Sequence, residues 1–456
     1  MSGVAIAGIG WKLERMLDRD TLGWSAGAFL TGVAVTSGPW LLTTLALVLV
    51  RLTSGGPMES VGEAERVITV VYAVVIVLSA PIDIILSRFA ADRVYERRHD
   101  QIAAPLRRVL AATLLGFGAV GAAAMAVLAP PIEVAIPGAL LATVVGGQWL
   151  LLSAAGGLSS PNIILRAFAF GAPISVAAAL GLSRIDELGQ AGHLIGFGLG
   201  QAVTLALLLI GTLRALPPEE DDRASIAPAF REYWLLAAAA FAFHGGLWID
   251  KFLVWMRYDS LDASGYASAA AIAWLSVVPG CAFLFVQVET TFHRRFRNFY
   301  DSLHGGASLG QLDEQASDLR REVGRTLRGT AVIQICVTLP CLLAAPAIAR
   351  ALGLQGAGAS ALPWLVLGAA PQVMALSATL LLYYFDYRGS AAIAAATQLL
   401  GNGIATLAVE ATGGPLGAGY AVSCLASSAV AIVLLAARMT GLLERTFQEQ
   451  PYGLEV

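Results

Sequence analysis

Long apolar runs, separated by short polar stretches, repeat along the whole chain of 456 residues. Crossing the roughly 30 Å hydrocarbon core of a bilayer takes about 20 residues of α-helix, and about twelve runs reach that length. The pattern therefore predicts an all-α integral membrane protein. The predicted spans are residues 26–50, 67–89, 109–129, 134–155, 163–182, 194–213, 234–256, 266–288, 330–349, 362–385, 391–409 and 416–437.

The twelve runs divide into two sets of six, and six crossings return a chain to the side where it started. A Gly-Pro-Trp triplet ends at Trp40 in the first run, and a Gly-Leu-Trp triplet ends at Trp248 in the seventh. Pro81 and Pro279 likewise mark the second and eighth runs. This order predicts two parallel six-helix lobes, an arrangement of carriers whose substrate path lies between the halves. The predicted segments are an amphipathic interfacial helix at 1–25, an N-lobe at 26–215, a cytoplasmic linker at 216–233, a C-lobe at 234–438 with a cytoplasmic loop at 294–328, and a cytoplasmic tail at 439–456.

The overall composition agrees with a membrane protein, since 57% of residues are hydrophobic, only 13% are charged and the mean hydropathy is +0.70. A net charge of −3 and a pI of about 6.0 describe no basic surface, so nucleic acid is not expected as a partner. The four cysteines lie in apolar runs without metal-ligand spacing. No metal or cofactor is therefore predicted.

Arginine and lysine gather in the loops on one side of the predicted bundle. They precede the first span, lie between the second and third, and are most frequent in the loop of the C-lobe. Because cytoplasmic loops carry the excess of basic residues, both termini are predicted in the cytoplasm.

The seventh span carries three ionisable residues at depth, which are His244, Asp250 and Lys251. A charge at the bilayer centre costs about 3 kcal/mol on insertion scales, so these side chains must face protein or water. We expect them to line a hydrated substrate path. The alternative is a buried network that ties this helix to its neighbours. Because Lys251 follows Asp250 directly, the carboxylate is expected to stay ionised, which disfavours proton antiport.

Five further residues are candidates for the path. Asp83, Arg166 and Glu289 lie near cytoplasmic ends of spans, where snorkelling or a local salt bridge is the alternative to a path role. Trp40 and Trp248 offer aromatic faces on which sugar rings stack, although anchoring at the membrane interface is the usual role of tryptophan in such proteins.

The predicted loop of the C-lobe is longer than a helix connection requires, and its apolar residues recur at helical spacing. Leu312, Leu319 and Val323 fall on one helical face, beside Arg320 and Arg321. The pattern predicts a surface that docks a cytoplasmic partner. The alternative is a helix that rests on the membrane with its arginines on anionic lipid.

Several motifs, taken together, are specific. The first half contains AGIGWKLERML from Ala7, TSGPW from Thr36 and ADRVYERRHD from Ala91. The second half contains HGGLWIDKFLVW from His244 and YYFDYRG from Tyr383. In sequence, order and spacing these motifs resemble the PelG family, the membrane transporters of the Pel exopolysaccharide system, and the resemblance covers essentially the whole chain.

The resemblance implies a MATE/flippase-like fold of two six-helix lobes, within the multidrug, oligosaccharidyl-lipid and polysaccharide flippase superfamily. It further implies export of an N-acetylgalactosamine-rich biofilm polysaccharide across the bacterial inner membrane. Its partners would be the cytoplasmic glycosyltransferase PelF and the membrane subunits PelD and PelE. The chain itself is not expected to be an enzyme, since its short loops hold no nucleotide-sugar domain. The alternatives are a cation-coupled flippase or antiporter for a lipid-linked oligosaccharide or a small molecule, and a scaffold that transports nothing.

Overall fold

A computed structural model describes residues 27–33, 37–38, 41–45, 58–157, 161–188, 191–216 and 225–449 of the chain. Every regular element in these ranges is a helix, and they contain no strand. The predicted interfacial helix at 1–25 and Trp40 lie outside the described residues.

The longer helices are numbered here in chain order. They are α1 (Met58–Tyr95), α2 (Ala103–Leu128), α3 (Ile132–Gly157), α4 (Pro161–Leu182), α5 (Ala191–Ala215), α6 (Ala227–Glu232), α7 (Trp234–Arg257), α8 (Ser260–Leu275), α9 (Val278–Gln287), α10 (His293–His304), α11 (Leu309–Ala351), α12 (Gly356–Tyr384), α13 (Arg388–Ala411), α14 (Ala418–Met439) and α15 (Leu442–Glu449). Short 3-10 helices occur at His99–Gln101 and Asp186–Leu188, and a π-helical turn, Val288–Phe292, joins α9 to α10.

The described residues contain nine helices long and apolar enough to cross a membrane, or ten if one bent pair counts as a span. Helices α1 to α5 and α11 to α14 are the nine, and α8 with the helix that follows it is the bent pair. Helix α7 coincides with the predicted seventh span but is not among them, since it carries His244, Asp250 and Lys251. The predicted class, an all-α multi-pass membrane protein, is confirmed.

The predicted eighth span is broken rather than continuous. A bend of 41° separates α8 from α9, and Pro279 lies in the first turn of α9. Proline has no backbone N–H and its ring prevents a straight continuation of the preceding helix. The Gln334 side chain on α11 donates from Nε2 to the Ser276 carbonyl oxygen at 3.1 Å. A neighbouring helix thus satisfies a backbone acceptor that the break leaves open.

The chain divides into two compact units, and the division falls inside α7, between Trp248 and Ile249. Of the described residues, unit 1 takes those from 37 to 248, and unit 2 takes 27–33 and those from 249 to 449. The predicted lobe limits, with a linker at 216–233, stay a prediction.

Unit 1 depends on a close approach of α4 and α5. A Cβ at Gly196 would lie 2.3 Å from the Cα of Ala179, and a Cβ at Gly200 would lie 2.3 Å from the backbone nitrogen of Ser175. Both distances are far below contact, so only glycine fits at these two positions. Small residues let membrane helices pack backbone against backbone, which provides van der Waals contact where no hydrophobic effect operates.

In unit 2, the predicted cytoplasmic loop 294–328 is helical for most of its length. Helix α10 and the first half of α11 form an antiparallel hairpin, and Ser308 caps α11 through a capping box with Gln311. Helix α11 has 43 residues, which at 1.5 Å per residue is about 65 Å. That length is about twice the hydrocarbon thickness, so the hairpin extends outside the membrane.

The predicted docking surface on this hairpin requires a correction. Leu312, Leu319 and Val323 are buried, and Leu319 and Val323 pack in one core cluster with Phe292 and Phe299. Their helical spacing identified an apolar face correctly, but the chain's own helix α10 and neighbouring helices cover that face. These three side chains therefore hold the hairpin together and offer no apolar surface to a partner.

A buried carboxylate fixes the same hairpin where it meets the predicted membrane region. Glu322 on α11 accepts a hydrogen bond from Gln287 Nε2 at 2.6 Å. It also forms ion pairs with Arg295 at 3.1 Å and Arg325 at 3.2 Å. The two arginines and the amide compensate the buried charge, so the contact is strongly directional and sets the register of α11 against the preceding helix.

We predict that Leu319→Ala destabilises the protein, while Leu309→Ala, at the start of the same helix, has little effect. Leu319 is 0% exposed and Leu309 is 66% exposed. Truncation of a buried leucine costs about 2–5 kcal/mol because contacts are lost and a cavity remains. Thermal unfolding of the purified protein in detergent measures the difference. Equal melting temperatures for the two variants would contradict the buried position of the stripe.

Candidate functional site

The most polar buried site of unit 2 is built around Asp250 and Lys251 on α7. Asp250 is 0% exposed and Lys251 is 1% exposed, although both are ionisable. Lys251 Nζ lies 2.9 Å from Asp250 Oδ2 and 3.1 Å from Oδ1. Consecutive residues on a helix point about 100° apart, so the long lysine side chain turns back to reach its neighbour's carboxylate. The two charges cancel within one helix turn.

Two other helices complete the surroundings of the carboxylate. Tyr266 on α8 donates its hydroxyl to Asp250 Oδ2 at 2.6 Å. Asn402 on α13 donates from Nδ2 to Asp250 Oδ1 at 2.9 Å. Thr406, one turn further along α13, donates to Asn402 Oδ1 at 3.1 Å and so directs the amide nitrogen of Asn402 toward Asp250. Both carboxylate oxygens are thus satisfied without water, as burial of a charge requires.

The ammonium group of Lys251 lies against two aromatic rings. Its Nζ is 4.4 Å from the centre of the Tyr420 ring on α14 and 4.8 Å from the Trp274 ring on α8. Ring faces attract cations, and this attraction is strongest where water is absent. Trp274 Nε1 donates to the Tyr420 hydroxyl at 3.1 Å, and that hydroxyl donates in turn to Gln372 on α12. The rings are therefore held in place by hydrogen bonds of their own.

These contacts join five helices of unit 2, namely α7, α8, α12, α13 and α14, to one ion pair. The arrangement is electrically neutral, buried and hydrogen-bonded throughout. The contacts tie α7 to its neighbours, as the alternative interpretation of the sequence expects, and both side chains of the pair are buried. A path role for the pair stays a prediction.

The sequence singled out Asp250 and Lys251 but missed Tyr266, Asn402 and Tyr420. A signal for Asn402 existed, because a side-chain amide in the middle of an apolar run is costly unless it is paired. Tyr266 and Tyr420 gave no comparable signal, since tyrosine is common at membrane interfaces. Trp274 also belongs to this site, since its ring lies 4.8 Å from Lys251 Nζ.

The other residues proposed on α7 belong to unit 1. His244 is half-buried, its Nδ1 lies 2.9 Å from the Ala240 carbonyl oxygen, and its ring meets Phe243 edge to face. Because a carbonyl only accepts, Nδ1 carries the proton in this contact. Trp248 is buried. The structure does not bring His244 into the Asp250 cluster, and the path role of both residues stays a prediction.

Three further candidates are not part of the cluster. Asp83 is half-buried on α1, and its carbonyl oxygen accepts from Ser153 Oγ at 3.3 Å. Arg166 is exposed on α4, and Glu289 is half-buried in the π-helical turn after α9. Within the part of the chain that the structure describes, none of the three forms an ion pair, and no group of three His, Cys, Asp or Glu side chains is arranged to hold a metal.

Unit 1 contains a buried polar network that lacks charge. Gln148 donates from Nε2 to the Gln201 carbonyl oxygen at 2.6 Å, and Tyr72 donates to Gln201 Oε1 at 3.2 Å. Gln201 Nε2 reaches Ser175 Oγ at 3.3 Å. These amides and hydroxyls join helices of unit 1 through uncharged hydrogen bonds. In unit 2, contacts around an ion pair join the helices instead.

We predict that Asp250→Asn and Lys251→Met each lower the free energy of unfolding by about 3–5 kcal/mol, since each leaves one buried charge unpaired. The double variant should recover most of this loss, because it removes both charges. Thermal unfolding in detergent measures the coupling.

The control is the ion pair between Arg257 on α7 and Glu410 on α13, which are 2.8 Å apart and partly exposed, tested by Arg257→Met and Glu410→Gln. Such a pair contributes about 0–1 kcal/mol. Independent, additive losses at Asp250 and Lys251 would rule out the neutral pair. Export at the wild-type rate by single variants that accumulate normally would rule out a path role.

Comparison with known proteins agrees with the architecture. An inward-facing multidrug resistance MATE family transporter of the MOP superfamily is 15% identical, with a TM-score of 0.65 over 91% of this chain and 99% of that one. The outward-facing conformation of such a transporter is 14% identical, with a TM-score of 0.64 over 99% and 100%. A MATE crystal structure in the bent conformation is 15% identical, with a TM-score of 0.63 over 98% and 99%. At this identity the likeness establishes the fold, which is that of MATE transporters.

No curated protein matches the chain. One family does, over residues 6–447, and its description is "PelG: Putative exopolysaccharide Exporter (EPS-E)". The match covers nearly the whole chain and agrees with the motifs found in the sequence. The chain belongs to the PelG family of exopolysaccharide exporters.

Proposed function

We propose that this protein is the inner-membrane conduit through which a bacterial synthase complex exports an N-acetylgalactosamine-rich Pel polysaccharide. The observation that carries the proposal is the PelG family match over residues 6–447 on a MATE-type fold. Family and fold are both those of a transporter, which supports a role in moving the polymer rather than in making it. The glycosidic bonds would then be formed by a separate cytoplasmic glycosyltransferase.

The orientation of the chain follows from its charges. Exposed arginines are frequent on the α10–α11 hairpin, among them Arg294, Arg297, Arg321, Arg325 and Arg328. The excess of basic residues belongs on the cytoplasmic side, so the hairpin would extend into the cytoplasm, where the polymer is made. The same rule supports cytoplasmic termini.

The hairpin is the part of the described chain best suited to receive the glycosyltransferase PelF. Its core is filled by the apolar stripe, and Glu322 fixes its register, so it is a preformed arm rather than a flexible loop. Preformed surfaces bind at a lower entropic cost. On this arm Arg320 pairs with Asp313 at 3.7 Å, and Arg321 pairs with Asp318 at 3.4 Å. The Arg321 side chain stays 70% exposed, so its guanidinium is accessible to a partner. PelD and PelE are proposed as further members of the complex.

Two path candidates are kept in this proposal, the half-buried His244 and the buried Trp248 on α7. The complete pairing of Asp250 and Lys251 supports a bracing role for those two residues instead. A flippase for a lipid-linked oligosaccharide is also compatible with the fold, and the cargo distinguishes it from a polymer exporter.

We predict that deletion of the gene from a cell that makes this polymer abolishes surface polysaccharide while the glycosyltransferase is still produced. A lectin for N-acetylgalactosamine measures polymer outside the cell, and the wild-type gene on a plasmid should restore it. Unchanged surface polymer, together with accumulation of a lipid-linked oligosaccharide in the inner leaflet, would favour the flippase alternative.

We further predict that Arg320→Glu with Arg321→Glu lowers recovery of the glycosyltransferase in co-purification by about tenfold, which corresponds to about 1.4 kcal/mol of binding. Charge reversal acts on the arm's surface and leaves its buried stripe intact. The control is Arg350→Glu, at the opposite end of α11 and also exposed. Equal recovery with both variants would place the docking surface elsewhere.

A further inference from the structure

The ion pair of unit 2 has the composition of a filled cation site. An anionic carboxylate lies on one side of the Lys251 Nζ, at 2.9 and 3.1 Å from its two oxygens. The Tyr420 and Trp274 rings lie 4.4 and 4.8 Å from the same atom. One carboxylate with two ring faces is the environment that proteins use to bind free ammonium-type cations. Here the cation is covalently part of the protein.

The carboxylate is shaped for a resident partner rather than for exchange. Tyr266 and Asn402 each occupy one of its oxygens, at 2.6 and 2.9 Å. An incoming ion would have to displace a lysine attached one residue away, which cannot diffuse from the carboxylate. Asp250 and Lys251 are also 0% and 1% exposed, so solvent does not reach either side chain in this conformation.

We propose that the Lys251 ammonium permanently replaces an exchangeable cation at Asp250, so that this site braces unit 2 and couples no ion to the transport cycle. The inference concerns the site itself and is independent of the exported cargo. It predicts that the wild-type site binds no free cation, and that removal of the lysine side chain creates a site for one of matching shape.

The chemistry of that ligand follows from the residue removed. Lys251→Ala keeps Cβ and deletes Cγ, Cδ, Cε and Nζ, and those four atoms together are a propylammonium ion. The cavity left behind would carry an unpaired carboxylate at one end and apolar walls along the stem. A primary alkylammonium of three carbons is therefore the class of ligand expected to bind.

The test measures thermal unfolding of the full-length protein in detergent at neutral pH and fixed ionic strength. The cations compared are sodium, potassium, propylammonium and the bulky N-methylglucamine, all as chlorides, with 1-propanol as the uncharged analogue. Wild type should melt at the same temperature in all of them. Lys251→Ala should melt several degrees lower in N-methylglucamine and recover saturably with propylammonium but not with propanol.

The double variant Asp250→Asn with Lys251→Ala provides the matched control, because without the carboxylate the recovery should vanish. Two results would overturn the proposal. One is a saturable stabilisation of wild type by sodium or potassium that Asp250→Asn abolishes. The other is a Lys251→Ala protein on which propylammonium has no greater effect than propanol.

If Lys251→Ala is degraded in cells, its level in the membrane is measured after growth with propylammonium chloride. The proposal requires that level to rise toward wild type, while the double variant stays unchanged. A level that does not respond would count against a cation site at Asp250 as firmly as the melting experiment. Neither readout depends on export, so failure of the proposed cargo would leave this result interpretable.

Discussion

The bilayer offers no hydrogen bonds, and this one constraint shapes both units of the protein. Every backbone polar group within a span has to be satisfied by the protein itself, and a buried charge needs a partner. Gln334 donates a hydrogen bond to the Ser276 carbonyl oxygen where α8 and α9 separate. The Asp250 carboxylate is contacted by Lys251, Tyr266 and Asn402. A buried polar group without a partner destabilises a protein, whereas these paired groups hold helices together.

The uncharged network of unit 1 and the ion pair of unit 2 differ in how much stability is lost when one partner is removed. The Gln148 and Gln201 amides of unit 1 join helices through hydrogen bonds, each of modest net value. Removal of one partner from the Asp250–Lys251 pair of unit 2 costs more stability, because it leaves an unpaired charge in a dry interior. A buried pair that must stay together resists exchange with dissolved ions, and this resistance is the basis of the bracing role proposed for it.

Outside the membrane, water can form hydrogen bonds with polar groups, and the hydrophobic effect favours burial of apolar side chains. The α10–α11 hairpin accordingly buries Leu319, Val323 and Phe299 and has arginines on its surface.

The sequence alone determined the helical class and most of the apolar helices, and it singled out Asp250 and Lys251, because hydropathy is a local property of a few dozen residues. Its motifs also identified the PelG family. Only the tertiary structure decided which groups meet. Asn402 lies 152 positions from Asp250, and no local pattern links them. The stripe of Leu312, Leu319 and Val323 illustrates the same limit, since periodicity reveals an apolar face, but what covers that face depends on segments elsewhere in the chain.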